Sequence, residues 1–352
     1  MKKNFDENMV VKKGVTRPGI KYYGINEHPF EIYGVIRTDG GYIRMPRKVA
    51  EAVSPGIAQD YANTAGGRVR FVTDSPYVAV SAQLSSIYQF SSMSIMGTCG
   101  IDVYIDGEFG GVVRPDVVNP ETHITDIVNM RDGGEHIIEV NFPLYTGVKE
   151  LFIGVDEGAA IKPAPKYTYD KPIVFYGSSI TNGACASRPG LSYPARISRM
   201  LDTNYINLGF GGLCKAEQAM TDYIAGLDMS IFVLDYDYNA PDADYLEKTH
   251  ENAYLTVREK NPDLPIVMIS CPRADLRGAW SKRLEIIRRT YNNAIAKGDK
   301  NVYMINGSEF FREIGYDYAA DGVHPTDLGF DYMAKGIYPV LKNVLGEKRN
   351  EN

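Results

Sequence analysis

The sequence predicts two domains of different class: an all-β sandwich of roughly jelly-roll size over residues 1–161, a linker at 162–171, and a doubly wound α/β domain with a parallel sheet over 172–352. Three observations carry that division. A chain of 352 residues is longer than one hydrophobic core usually serves. Its first half alternates apolar and polar residues with period two, as strands buried on one face do. Its second half changes to short, continuous apolar runs separated by helical patterns, as expected for strands buried on both faces of a parallel sheet.

From about Phe30 to Val155 the β-rich runs are EIYGVIRT, RVRFVTDS, YVAVSAQL, IDVYIDGEFGGVVR, HIIEVNF and ELFIGVD. Asp39-Gly40-Gly41, Asp106-Gly107 and Asp132-Gly133-Gly134 fall between them, with glycine supplying the positive φ of tight hairpins. The segment KPAPKYTYDK then interrupts both periodicities with prolines and charges, which marks the linker. Beyond it, the strands IVFY, YINLGF, SIFVLDYD, IVMISC and NVYMIN alternate with the helical patterns SYPARISRML, AEQAMTDYIAG, DADYLEKTHENAYLTVREK, SKRLEIIRRTYNNAIAK and a last one after Pro325. Such a domain binds its ligands beyond the carboxyl ends of its strands.

Composition narrows the function. A net charge of −6 without a basic stripe offers nothing to a phosphate backbone, so no nucleic-acid partner is expected. No apolar run reaches the ~20 residues of a membrane span. The amino-terminal MKKNFDENMVVKKGV has no apolar core of an export signal, which puts the chain as written in the cytoplasm, or in the periplasm or outside the cell if a leader was trimmed. Cys99, Cys185, Cys214 and Cys271 are too few for a disulfide framework and lack metal-ligand spacing. They are expected to be reduced thiols, a Cys185–Cys214 bridge being the alternative.

Four loops carry residues suited to chemistry. Gly177-Ser178-Ser179-Ile180-Thr181-Asn182-Gly183 follows the first apolar strand, where a small, glycine-flanked serine meets substrate and backbone N–H groups face a developing oxyanion. On its own this segment reads first as a phosphate-binding loop or a capping serine. It is not a nucleophile elbow, since Thr181 stands where that motif needs glycine. Asp321-Gly322-Val323-His324-Pro325 precedes the last helix; an aspartate three residues before a histidine can hold the imidazole Nδ1–H and leave Nε2 toward a serine, or be a plain cap beside a surface histidine. Gly209-Phe210-Gly211-Gly212 and Asp237-Tyr238-Asn239-Ala240 follow the second and third strands and offer a glycine N–H and an asparagine amide. Trp280, the only tryptophan, lies in RGAWSKR just after the strand IVMISC and is a candidate rim residue for substrate.

Taken together and in this order, GSSIT, GFGG, DYNA and DGVH resemble the nucleophile, glycine, asparagine and Asp-x-x-His blocks of the SGNH (GDSL-type) hydrolase superfamily. The resemblance implies a flavodoxin-like three-layer hydrolase domain with Ser179 as nucleophile, His324 as base and Asp321 as its orienter. It further implies an oxyanion hole of the Ser179 N–H, Gly212 and Asn239, with no metal or organic cofactor. Two positions depart from the usual pattern: Ser178 replaces the aspartate of Gly-Asp-Ser, and Asp237 and Ala240 flank Tyr238-Asn239 where Gly-x-Asn-Asp is usual. AGGRVRFVTDS and FPLYTGVKELFIGVD look like the jelly-roll module that precedes the hydrolase domain in two-domain bacterial carbohydrate esterases. That likeness implies removal of acetyl groups from an O-acetylated oligo- or polysaccharide. A lipase or thioesterase acting on longer acyl chains, and a catalytically idle carbohydrate-binding protein, are the alternatives.

Overall fold

The computed structural model describes residues 17–273 and 277–350, together with Val11 and Val15. The described residues form two compact units: those up to Ile43 with Ala62–Pro165 and Ser187–Gly190, and Arg44–Tyr61 with Lys166–Ala186 and those from Leu191 on.

The first unit contains β1 (Ile20–Gly24), β2 (Glu31–Tyr33), β3 (Ile36–Thr38) and β4 (Gly41–Ile43). After the excursion 44–61 it continues with β5 (Arg68–Thr73), β6 (Tyr77–Leu84), β7 (Ile101–Ile105), β8 (Glu108–Val113), β9 (His123–Asn129), β10 (His136–Asn141), β11 (Val148–Asp156) and β12 (Ile161–Lys162). One antiparallel sheet runs β1-β11-β6-β9 and the other β12-β5-β10-β7-β8, with β2 on β5. Their inner faces meet through Val78, Val80, Ile153 and Val155 from one and Val69, Phe71, Val103 and Val140 from the other, all buried. This is the predicted β-sandwich. The turn Asp106-Gly107 joins β7 to β8 with φ of 50° and 82°, the two positive values that a two-residue hairpin loop demands.

The second unit contains two short helices, α1 (Arg47–Val53) and α2 (Pro55–Asp60), the latter capped by Ser54 Oγ accepting the Ile57 N–H. The strands that follow are β13 (Tyr169–Gly177), β14 (Thr203–Gly209), β15 (Ile231–Asp235), β16 (Ile266–Ile269) and β17 (Val302–Ile305), each where an apolar run predicts one. They form one parallel sheet in the order β14-β13-β15-β16-β17, the doubly wound arrangement. Counting α3 (Ile95–Cys99) of the first unit, its helices are α4 (Ser179–Asn182), α5 (Tyr193–Leu201), α6 (Gln218–Ala225), α7 (Ala243–Lys260), α8 (Ala279–Ala296) and α9 (Asp327–Asn350). Both faces of β13 are covered. Val174 and Tyr176 join a core shared with α6, α7 and α8, while Phe175 packs edge-on against Tyr193 of α5. Among the described residues no helix is long and apolar enough to cross a membrane.

The units differ from a single cut at 162–171 in two places. Residues 44–61 fold with the α/β unit because Met45, Ala50, Val53 and Ile57 bury in its core, and helices of seven and six residues are too short for periodicity to show. Conversely, residues 187–190 fold with the sandwich. The buried Asp102 carboxylate accepts the Gly190 N–H at 2.8 Å, and the Arg188 guanidinium lies 3.7 Å over the Phe109 ring.

Candidate active site

The site is built at the carboxyl edge of the parallel sheet. Gly177, the last residue of β13, pairs with Gly209 of β14 on one side and Asp235 of β15 on the other, so three of the four predicted loops leave the sheet at one level. Ser178 is extended and its Oγ accepts the Ile180 N–H, which starts α4 at Ser179. The cap leaves the Ser179 N–H among the helix's unsatisfied first donors.

Ser179 Oγ lies 2.9 Å from His324 Nε2, and His324 Nδ1 lies 2.8 Å from Asp321 Oδ2. With Nδ1–H donated to the carboxylate, Nε2 is left to accept the serine hydroxyl. The loop holds itself: Asp321 Oδ1 accepts the His324 N–H at 2.8 Å and the Val323 N–H at 3.1 Å, and the Ala320 N–H closes onto the His324 carbonyl at 2.8 Å. Partial burial pushes the Asp321 carboxyl upward, but the two backbone N–H groups and the imidazole outweigh it and hold it below the ordinary value. A carboxylate that stays ionised can orient the imidazole and stabilise its protonated form.

The predicted oxyanion donors are joined to the nucleophile loop through Phe210. Its N–H donates to the Gly177 carbonyl at 3.1 Å, and its own carbonyl accepts one Asn239 Nδ2–H at 3.0 Å. Leu213 N–H closes a turn onto the Phe210 carbonyl, with Gly212 at φ 70°, so the Gly212 N–H stays outside the turn's own bond. A Cβ on Gly212 would meet nothing within 4 Å, so it faces open space.

Beneath the loop lies a buried network that sequence reasoning did not find. Thr181 Oγ1 and Tyr193 OH donate to Asp235 Oδ2 at 3.1 and 2.8 Å, and Asn207 Nδ2 donates to the Thr181 carbonyl at 2.8 Å. Arg44 donates to Asn182 Oδ1 at 2.9 Å and lies 3.9 Å over the Phe210 ring. Burial first, then the neighbouring Asp237, pushes the Asp235 carboxyl well above its ordinary range, which favours a shared-proton network over a bare charge. Thr181 stands where the nucleophile-elbow pattern requires glycine, and its Oγ1 fills the place a Cβ on Gly177 would take, so residue 177 has to be glycine. Arg44 and Asn182 are 138 residues apart, and no local signal joins them.

Trp280 falls in the first turn of α8 and is partly exposed. Its ring is 4.9 Å from that of Tyr238, the neighbour of Asn239, and the Arg273 and Arg283 guanidiniums each lie 4.9 Å from it. Arg283 is buried and also donates to the Ala240 carbonyl at 2.8 Å, fixing the asparagine loop. At the start of this loop Asp237 is raised to about 6 by burial, against the opposing Cys271 N–H bond and the Arg283 charge.

Fold and sequence together define a carboxylic ester hydrolase. The GDSL-like lipase/acylhydrolase family model matches residues 170–342, and the model of the N-terminus of SGNH-hydro-type esterases matches residues 20–161. A solved structure assigned as a GDSL-like lipase from Bacteroides ovatus ATCC 8483 is 31% identical, covers 93% of this chain and 98% of its own, and superposes with a TM-score of 0.82. The chain therefore belongs to the GDSL-like (SGNH) lipase/acylhydrolase family. Its fold is also similar to that of a salicylyl-acyltransferase from a tetracycline biosynthetic pathway, at 20% identity, 91% and 96% coverage and a TM-score of 0.74. A family two carbohydrate esterase from Cellvibrio japonicus shares it at 13% identity, 93% and 98% coverage and a TM-score of 0.63. No curated protein sequence matches the chain.

Proposed function

We propose that the protein removes acetyl or other short acyl groups from an O-acetylated oligo- or polysaccharide through an acyl-enzyme on Ser179. The observation that carries this reading is the continuous hydrogen-bonded chain from Ser179 through His324 to Asp321. In it His324 Nε2 takes the hydroxyl proton as Ser179 Oγ attacks the ester carbonyl, and Asp321 stabilises the imidazolium. The Ser179 and Gly212 N–H groups and the remaining Asn239 amide hydrogen then receive the oxyanion. His324 gives its proton to the sugar oxygen as the bond from that oxygen to the acyl carbon breaks, releasing the sugar hydroxyl, and water activated by the same imidazole hydrolyses the acyl-enzyme.

The carbohydrate part of the reading draws on the similarity of fold to a family two carbohydrate esterase and on the partly exposed Trp280 beside Tyr238, an aromatic pair on which a sugar ring can stack. The polar residues Thr181 and Asn182 turn into the domain and so give no information about acyl length. That length is measured directly with p-nitrophenyl acetate, butyrate and octanoate. Turnover that favours acetate and vanishes in Ser179→Ala supports the reading, and octanoate preference replaces it with a lipase. Equal residual rates in wild type and Ser179→Ala would leave a binding protein.

A further inference from the structure

We propose that Cys185, His324 and Asp321 form a binding site for a thiophilic divalent cation, zinc above all, whose occupation switches the enzyme off. After α4 the chain reverses in a turn closed by the Ala186 N–H on the Gly183 carbonyl at 3.1 Å, with Cys185 at φ 70° near its tip. The turn brings Cys185 against the other loop. One donor atom from each of Cys185, Asp321 and His324 lies within 4.8 Å of the other two. Cys185 and His324 are partly exposed and Asp321 is exposed, so a hydrated ion reaches them from solvent. Cys185 is not in a disulfide, and the other three thiols, Cys99, Cys214 and Cys271, are buried.

A thiolate, an imidazole and a carboxylate are a zinc donor set, three protein ligands leaving one tetrahedral position open. Tetrahedral zinc with these ligands needs donor atoms about 3.3–3.6 Å apart, so the side chains must rotate by roughly an ångström. Binding forms a Zn–S bond as the Cys185 thiol gives up its proton to solvent, and no electron moves. The imidazole must present a lone pair to the metal. If Nδ1 does so, the ion displaces the 2.8 Å bond to Asp321; if Nε2 does, it displaces the 2.9 Å contact with Ser179. Either way the base is captured, and the inhibition needs no change in the fold.

The test is titration of the reduced protein with zinc against a chromogenic zinc chelator, using wild type, Cys185→Ser and His324→Gln, with Cys185→Gly as the variant suited to a positive φ. Wild type is expected to bind one zinc per chain, and each substitution to weaken it by about tenfold or more. In parallel, zinc abolishes wild-type turnover of p-nitrophenyl acetate and chelation by EDTA restores it, while Cys185→Ser turns over at the wild-type rate without zinc and needs about tenfold more zinc, or more, for the same inhibition. Equal zinc affinity in wild type and both cysteine variants, or inhibition undiminished by their substitution, overturns the proposal. The chelator titration needs no turnover, so a failure of the esterase reading is seen separately.

Discussion

Ser179 begins a helical turn whose neighbours Ser178, Ile180, Thr181 and Asn182 are all buried, whereas Asp321 and His324 stand on a loop whose side chains keep 31% and 26% of their surface in solvent. The serine side is gripped from four other places in the α/β unit: Asp235, Asn207, Tyr193 and Arg44. The base side is held mainly by bonds among residues 318–326. The position of the nucleophile is thus over-determined by packing, and that of the base by local geometry. Substitutions under the serine are expected to cost stability and activity together, and those at the base activity alone.

The largest expected effect is in Ser179→Ala, a loss of about 10⁴-fold or more in kcat with an unchanged melting temperature, since only the reacting oxygen is removed. Asp321→Asn should follow closely, at about 10³–10⁴-fold in kcat, with stability again near wild type. A matching drop in melting temperature would break the contrast. Asn239→Ala is expected to lower kcat about 10²–10³-fold with less change in KM, because the amide meets charge that develops only in the transition state. A pure KM effect would instead make it a ground-state contact.

Thr181→Val tests the other side. It leaves the buried Asp235 and Tyr193 short of a partner and should cost about 1–3 kcal/mol, read by chemical denaturation, along with part of the activity. The smallest signal is a pH slope. His250, buried on α7 and 3.0 Å from Thr290, is lowered to about 3 by burial. The unfolded chain takes up this proton near pH ~6.5 and the native one refuses it, so stability is lost as pH falls from ~6.5 to about 3, by at most about 1.4 kcal/mol per pH unit, with no effect above that window. His250→Gln should flatten the dependence relative to wild type in denaturation curves between pH 7 and 4; identical slopes would show that His250 is charged when folded.

The motif residues were legible because each depends on short-range order. An Asp three positions before a His reaches its own loop's N–H groups, and a serine after a buried apolar strand lies at the sheet edge whatever surrounds it. Less was legible where length or distance hid the signal. The strands IKYYG and HITDIVN lay outside the runs read as β, and the two helices of 44–61 were absorbed into the sandwich although their apolar face belongs to the other unit. Nor does the chain order show that Thr181 and Asn182, polar residues of the nucleophile loop, are inward attachments in the fold.

By itself the sequence determined the order of strands and helices, the two kinds of sheet and the four loops that carry chemistry, because periodicity and turn residues act over a few positions. Tertiary structure alone decided that Arg44 grips the nucleophile loop, that Cys185 comes beside His324 and that Trp280 stands next to Tyr238. Those contacts join residues far apart in sequence, and only the packing of a common core sets the distances between them.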